Sequence, residues 1–239
     1  MSGTANNWMA GNTVVGTDSI PTAMLDITGS TTSAASLRMR SGTAPSSPND
    51  GDAWNDSTQK TFSARLAGIT QNFVGEIFTG TANASVSNTV TETSITPTGV
   101  GTLTLPANTF VAGKTIRIKA IGTYTTDASV APTLRLRFKL GSTTVIATSA
   151  NTLATSANGA WESEFTLTCR TTGASGTFAS YGVVRMNNTE TTVDKAIKVT
   201  ATPTIDTTTS QAITITAEWG TADTDNVITT ILLTAEIIN

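Results

Sequence analysis

Two glutamates, Glu162 and Glu164, come closest in this 239-residue chain to the spacing of a catalytic carboxylate pair. In an extended backbone, residues two apart point to the same side with their backbones about 6.6 Å apart, a separation that the carboxylates of a glycosidase could match. The competing reading is a solvated face that pairs with Arg or Lys on neighbouring strands. Other chemistries are removed by composition. There is no histidine and one cysteine, so Ser-His-Asp and Cys-His catalysis, His-containing metal sites and zinc clusters are excluded. No phosphate-cradling Gly-rich loop leads into a helix. Asp223 and Asp225, near Asn226, could ligate calcium with backbone carbonyls, but such a cluster more often marks a turn. Trp161, Tyr124, Tyr181 and Trp219 could stack on a sugar. Alternation puts Trp161 in the core, and Trp219, at a strand end, suits a covering role. Tyr124, just beyond the strand carrying Ile116 and Ile118, is expected to be the exposed aromatic and the candidate glycan contact. No catalytic residue, cofactor or metal is expected, and the chain reads as a non-enzyme.

The element that organises the rest is Thr133 to Leu140, TLRLRFKL. Leu134, Leu136, Phe138 and Leu140 alternate with Arg135, Arg137 and Lys139, the pattern of a strand with one wet face. Gly141-Ser142 predicts a hairpin turn into Thr143 to Thr148. Lys114 to Ala120 repeats the pattern, with Ile116 and Ile118 opposite Arg117 and Lys119. Trp161 to Arg170 sets Trp161, Phe165, Leu167 and Cys169 against Glu162, Glu164 and Arg170. Two basic outer faces and one acidic face invite cross-strand ion pairs that select neighbours and register. Each exposed pair stabilises by only about 0.2 to 1 kcal/mol, so the apolar faces carry the stability.

Composition agrees. Charged residues are 13% and aromatic residues 5%, while Thr fills 52 positions. Thr is β-branched and can cover a sheet's wet face without charge. Net charge is −3, with six of the ten basic residues beyond Thr81 between Lys114 and Lys139. They alternate with a packed face and lack stacking aromatics, which argues against nucleic-acid binding. Cys169, on the apolar side of its strand, reads as a buried free thiol. No secretion signal and no apolar run long enough to span a bilayer is seen, so synthesis in the cytoplasm and no membrane insertion are expected.

Three regions follow along the chain. Residues 1–35 sustain no period, and their isolated apolar residues Trp8, Met9, Ile20, Met24, Leu25 and Ile27 are expected to anchor an extended N-terminal arm on a partner. Residues 36–75 predict a small three-stranded meander around Trp54, built from Leu37 to Arg40, Asp52 to Trp54 and Lys60 to Leu66. Residues 76–239 hold ten candidate strands, at 86–95, 101–105, 114–122, 133–140, 143–148, 161–170, 177–185, 195–202, 211–219 and 227–238. With no helix between them, they predict an all-β fold, an antiparallel β-sandwich of jelly-roll-like form.

The string Gly42-Thr43-Ala44-Pro45, Ser47-Pro48, Gly51-Asp52, Trp54-Asn55-Asp56 and Lys60 resembles a small module of tailed-bacteriophage fibres and other virion surface proteins. The prolines would fix its approach, Gly51 would allow the turn and Trp54 would cap a hydrophobic cluster. Gly99 to Asn108, Gly113-Lys114, Ile116-Arg117-Ile118, Gly122, Lys139-Leu140-Gly141 and Thr171 to Thr177 likewise resemble a domain of phage surface proteins. That resemblance implies a β-sandwich, often trimeric, on a virion surface. The expected function is capsid decoration (cement) or a short head fibre, a homotrimer contacting the major capsid protein. The alternative is a receptor-binding tail fibre or baseplate protein that recognises host glycan. A glycan hydrolase working through Glu162 and Glu164 is the third reading.

Overall fold

The computed structural model describes residues 30–73, 75–127, 131–188 and 193–238, together with two short strands of the arm. Those strands, β1 (Thr13–Val15) and β2 (Leu25–Ile27), pair in parallel, where the sequence showed no sustained period. The arm residues Trp8, Met9, Ile20 and Met24 lie outside the described residues, as do the side chains of Leu25 and Ile27.

A four-stranded sheet follows, in the order β3 (Ser41–Gly42), β4 (Ala53–Asp56), β5 (Thr61–Leu66) and β6 (Ile69–Phe73). The last three strands form the expected antiparallel meander. Its members differ from expectation: Leu37 to Arg40 is not a strand, and β6 takes the third place, with β3 joined to β4 in parallel. Gly51 sits at φ +96°, a conformation that favours glycine, which supports the turn expected there.

The remaining strands are β7 (Glu76–Gly80), β8 (Ala84–Ser87), β9 (Thr93–Ser94), β10 (Gly99–Gly101), β11 (Thr104–Leu105), β12 (Thr115–Thr125), β13 (Thr133–Leu140), β14 (Thr143–Ala147), β15 (Asn151–Thr152), β16 (Gly159–Cys169), β17 (Gly176–Asn187), β18 (Val193–Ala201), β19 (Thr204–Ile205), β20 (Gln211–Trp219) and β21 (Val227–Ile237). They form two antiparallel sheets. The larger runs β10-β7-β21-β12-β16-β17-β18, and the smaller β11-β20-β13-β14.

The pairings are nested. β13 and β14 form the central hairpin, and β12 and β16 pair outside it. β20 then takes β9 and β11, two pieces of one interrupted strand. Outermost, β21 takes β7 and β8, again two pieces of one strand position. An antiparallel ribbon rolled up in this nested order is a jelly roll. The β17–β18 hairpin is inserted between the sixth and seventh positions and extends the large sheet beyond β16.

Strict alternation drives the two sheets together. On β13, Leu134, Leu136, Phe138 and Leu140 are buried, and on β12, Ile116, Ile118 and Ala120. Phe138 from the small sheet stacks on Phe165 from the large one, with ring centroids 5.6 Å apart. Each such side chain, fully buried, stabilises the fold by about 1.5 to 3 kcal/mol. Cys169 is buried and free, as expected, and burial pushes its thiol pKa up.

The large sheet carries register shifts at Ile121/Gly122, Met186/Asn187 and Ala235/Glu236, and the first shapes its wet face. The β12–β21 register shifts at Ile121/Gly122, so that Ile121 faces Leu232 while Gly122 faces Thr230. Ile231 is the extra residue of this β-bulge, and Ile231 and Leu232 both become exposed before inward alternation resumes at Leu233. Opposite the bulge, the Trp161 indole N–H donates to the Thr229 carbonyl at 3.0 Å. The backbones approach too closely for any side chain at 122. An added Cβ would collide with the Thr229 carbonyl oxygen and come within 2.7 Å of Trp161 Nε1. Gly122→Ala should therefore lower stability by at least about 2 kcal/mol in chemical unfolding; an unchanged midpoint would show that this approach can relax.

Candidate functional site

The carboxylate pair is engaged by its neighbours. Glu162 and Glu164 share a face of β16, but each has a cation across the ladder in register. Arg185 Nη1 donates to Glu162 Oε1 at 2.7 Å, and Lys119 Nζ lies 3.5 Å from Glu164 Oε2. These are half-exposed surface pairs on a sheet face. Their geometry is that of cross-strand ion pairing, the solvated alternative to a hydrolytic site.

The small sheet carries a tighter charge cluster. Arg137 on β13 lies between two carboxylates, bonding Glu218 on β20 and lying 3.4 Å from Glu92. Glu92 accepts from Lys139 Nζ at 2.9 Å and from the Thr216 hydroxyl at 2.8 Å. The expected ion pairing is therefore present, but the basic face of β13 does not meet the acidic face of β16. The two strands lie in different sheets, and only the tertiary roll brings Glu92 and Glu218 to Arg137.

Tyr124 does not occupy the exposed site expected of it. It is 1% exposed, because β12 continues to Thr125 and Tyr124 falls on the same parity as Ile116 and Ile118. Its ring belongs to the core and cannot stack on a glycan from solvent. Trp161 and Trp219 are buried as well, which leaves Tyr181, 44% exposed on β17, as the accessible member of the four aromatics. The Asp223–Asn226 turn is committed to local bonds. The Asp223 carboxylate accepts from Asp225 N, its carbonyl accepts from Asn88 N, and Asn226 Oδ1 accepts from Asp127 N. That is the turn reading, and no metal-ligating group of three is found among the described residues.

The wet face of the large sheet has a hollow of about 370 Å³ beside the bulge. Ile121 and Ile231 flank it, and the Glu162–Arg185 pair forms part of its rim.

The small module presents two faces of opposite character, and sequence reasoning missed this. Register pairs place Trp54, Ser63 and Asn72 in one row and Asp56 with Thr61 in the next, on the same side of the sheet. On that side Asp56, Thr61 and Ser63 are buried, Trp54 is half-buried and Asn72 is exposed. Ser63 donates to Asn72 Oδ1 at 2.8 Å, and Asp56 Oδ1 accepts from the backbone N–H of Thr58 and Gln59 at 2.7 and 3.1 Å. Pro45 and Pro48 line a polar cleft of about 390 Å³ over it. Trp54 thus caps hydroxyl and amide groups, not the hydrophobic cluster expected.

On the opposite side lie Phe62, Leu66, Ile69 and Phe73, all exposed, with Phe62 and Phe73 ring centroids 5.6 Å apart. The signal was legible in TFSARL, where Thr61 and Ser63 alternate with Phe62 and Ala64; nothing local says which set faces inward. A hydrogen bond from Lys114 Nζ to the Lys60 carbonyl, at 3.2 Å, ties the module to the sandwich. Lys114 is buried there, and this burial, with the nearby Lys60 charge, lowers its ammonium pKa.

No protein-family model matches the chain, and no curated protein is similar to it in sequence. The fold and these faces define an all-β jelly-roll protein with an appended β module, whose described surface offers contact areas, the hollow beside the bulge and the polar cleft of the module.

The Glu92 cluster supports a pH prediction. The Lys139 hydrogen bond, with help from Thr216 and the Arg137 charge, outweighs burial and holds the Glu92 carboxyl below its ordinary value of 4.5. A depressed carboxyl pKa stabilises the fold above the unfolded value, and that contribution is lost as pH falls through the folded one. Glu92→Gln should therefore destabilise by about 1 kcal/mol at pH 7. The difference from the native chain should shrink as pH drops below 4.5 in paired urea titrations; a constant difference would mean the charge is not what Glu92 contributes.

Proposed function

We propose that the chain is a non-enzymatic structural protein of a tailed-bacteriophage particle, a homotrimer carried on the virion surface as capsid decoration or a short head fibre. The observation that carries the assembly half of this reading is the placement of apolar surface. The sandwich closes an apolar core between its sheets and leaves Ile121, Ile231 and Leu232 exposed beside the bulge, whereas the module buries Asp56, Thr61 and Ser63 and turns Phe62, Leu66, Ile69 and Phe73 outward. Contiguous exposed apolar patches of this kind mark contact sites. The particle half rests on the resemblance of the 42–60 string and of the sandwich residues to phage surface proteins, and on the use of jelly rolls in viral capsids.

In this reading the sandwich sits over capsomer junctions, and the arm with its six apolar anchors adds buried area on the shell. The receptor-binding alternative has lost Tyr124 as its contact. Tyr181 and the hollow beside Ile231 are the surface features it could still use.

Immunogold labelling of intact particles tests the reading. Label over the icosahedral shell is expected, and label confined to the tail would replace it with the adhesin. Deleting residues 2–35 should leave a folded protein with native-like thermal unfolding that no longer binds capsids; normal decoration by the truncated chain would show that the arm is not the anchor.

A further inference from the structure

The outward face of the module needs an occupant. Phe62 and Phe73 are directly paired across β5 and β6, and Leu66 and Ile69 are the next row but one on the same side. They are 40%, 51%, 43% and 64% exposed. Together they leave on the order of 400 Å² of side-chain surface in water, the size of a functional patch on a typical monomer. The interleaved positions on this face are Ala53, Asn55, Ala64 and Gln71, so the whole face carries no charge.

β6 adds a second feature. It is the outer strand of its sheet, exposed along all five residues, and its sequence ITQNF has none of the Lys, Pro or acidic residues that usually guard an edge. Elsewhere, the wet faces of both large sheets carry ion pairs that set their electrostatic demands on any partner. A neutral face places no such demand, and an identical neutral face meets it without charge repulsion or an unpaired ion. A stable partner buries about 800 Å² per side, so this patch supplies roughly half of one share.

We propose that the Phe62/Leu66/Ile69/Phe73 face packs against the same face of further copies of this chain, which makes the module the oligomerisation element. The inference rests on reading the chain as an assembly protein. It assigns the self-contact to the module, with the sandwich and arm left to face other partners.

Sedimentation velocity and light scattering on the full chain test it. The wild type at tens of micromolar should have a mass that is a multiple of the 24.6 kDa chain. Ile69→Lys with Phe73→Lys should reduce it to a single chain. Thr70→Glu, on the opposite face beside Arg65, should leave it unchanged. All three substituted residues are exposed, and far-UV circular dichroism with thermal unfolding checks that the sandwich is intact. A monomeric wild type, a variant that keeps the wild-type mass, or equal dissociation by Thr70→Glu would each overturn the proposal. Capsid binding by the same preparations separates the two readings. A monomeric wild type that still decorates shells overturns only the self-contact, and a variant that keeps its mass but loses capsid binding assigns the face to another protein.

Discussion

The register of β12 between β16 and β21 is the constraint on which the rest of the structure depends. Ten ladder pairs on one side and ten on the other fix which residues of β12 face inward. A slip of one residue would drive Arg117 and Lys119 into the core and expel Ile116 and Ile118. The outer face reinforces the register, since Arg117 bonds Glu236 on β21 at 2.6 Å while Lys119 lies opposite Glu164. Such pairs are weak singly, but their misplacement would bury charge, so they choose among registers more than they stabilise one.

The bulge at Ile231 shows how the fold accommodates a sequence that breaks its own alternation. Ile-Leu-Leu at 231–233 cannot all point one way on a regular strand. One extra residue places Ile231 and Leu232 outside and returns Leu233 to the core. The cost is met by Gly122, where only a missing Cβ lets the Thr229 carbonyl approach and accept the Trp161 N–H. The hollow on the wet face lies beside that bulge, with Ile121, Gly122, Trp161 and Ile231 in its lining.

Sandwich and module solve opposite problems. The jelly roll has enough residues to close an apolar core between two sheets, with short strands at the β8/β10 edge of the large sheet and the β9/β11 edge of the small one that blunt unwanted pairing. The module is too small to enclose a core, and it holds its strands through turn and side-chain hydrogen bonds around Asp56, Ser63 and Asn72. Its apolar groups are therefore free to face outward, and Phe62, Leu66, Ile69 and Phe73 form one exposed apolar face there, as Ile121, Ile231 and Leu232 do beside the bulge of the sandwich.

The sequence by itself determined the class of the fold, the long strands and their faces, because alternation of period two needs no information from elsewhere in the chain. The spans 133–140 and 211–219 match the observed strands end to end, and the Gly141–Ser142 hairpin forms as read. Cys169, Trp161 and Trp219 are buried as alternation and strand position required. What only the tertiary structure decided is which strands meet and where a strand stops. Glu92 and Glu218 reach Arg137 through pairings made by the roll, which no local pattern encodes. Tyr124 is core because β12 runs past Gly122 to Thr125, a continuation held by β21 and β16 on either side. β7 carries a short apolar pattern of its own but becomes a strand by adding to the edge of β21. The module's inversion has the same cause: TFSARL specifies two faces, and the Pro45–Pro48 segment covers the polar one, leaving Phe62 and Leu66 outside.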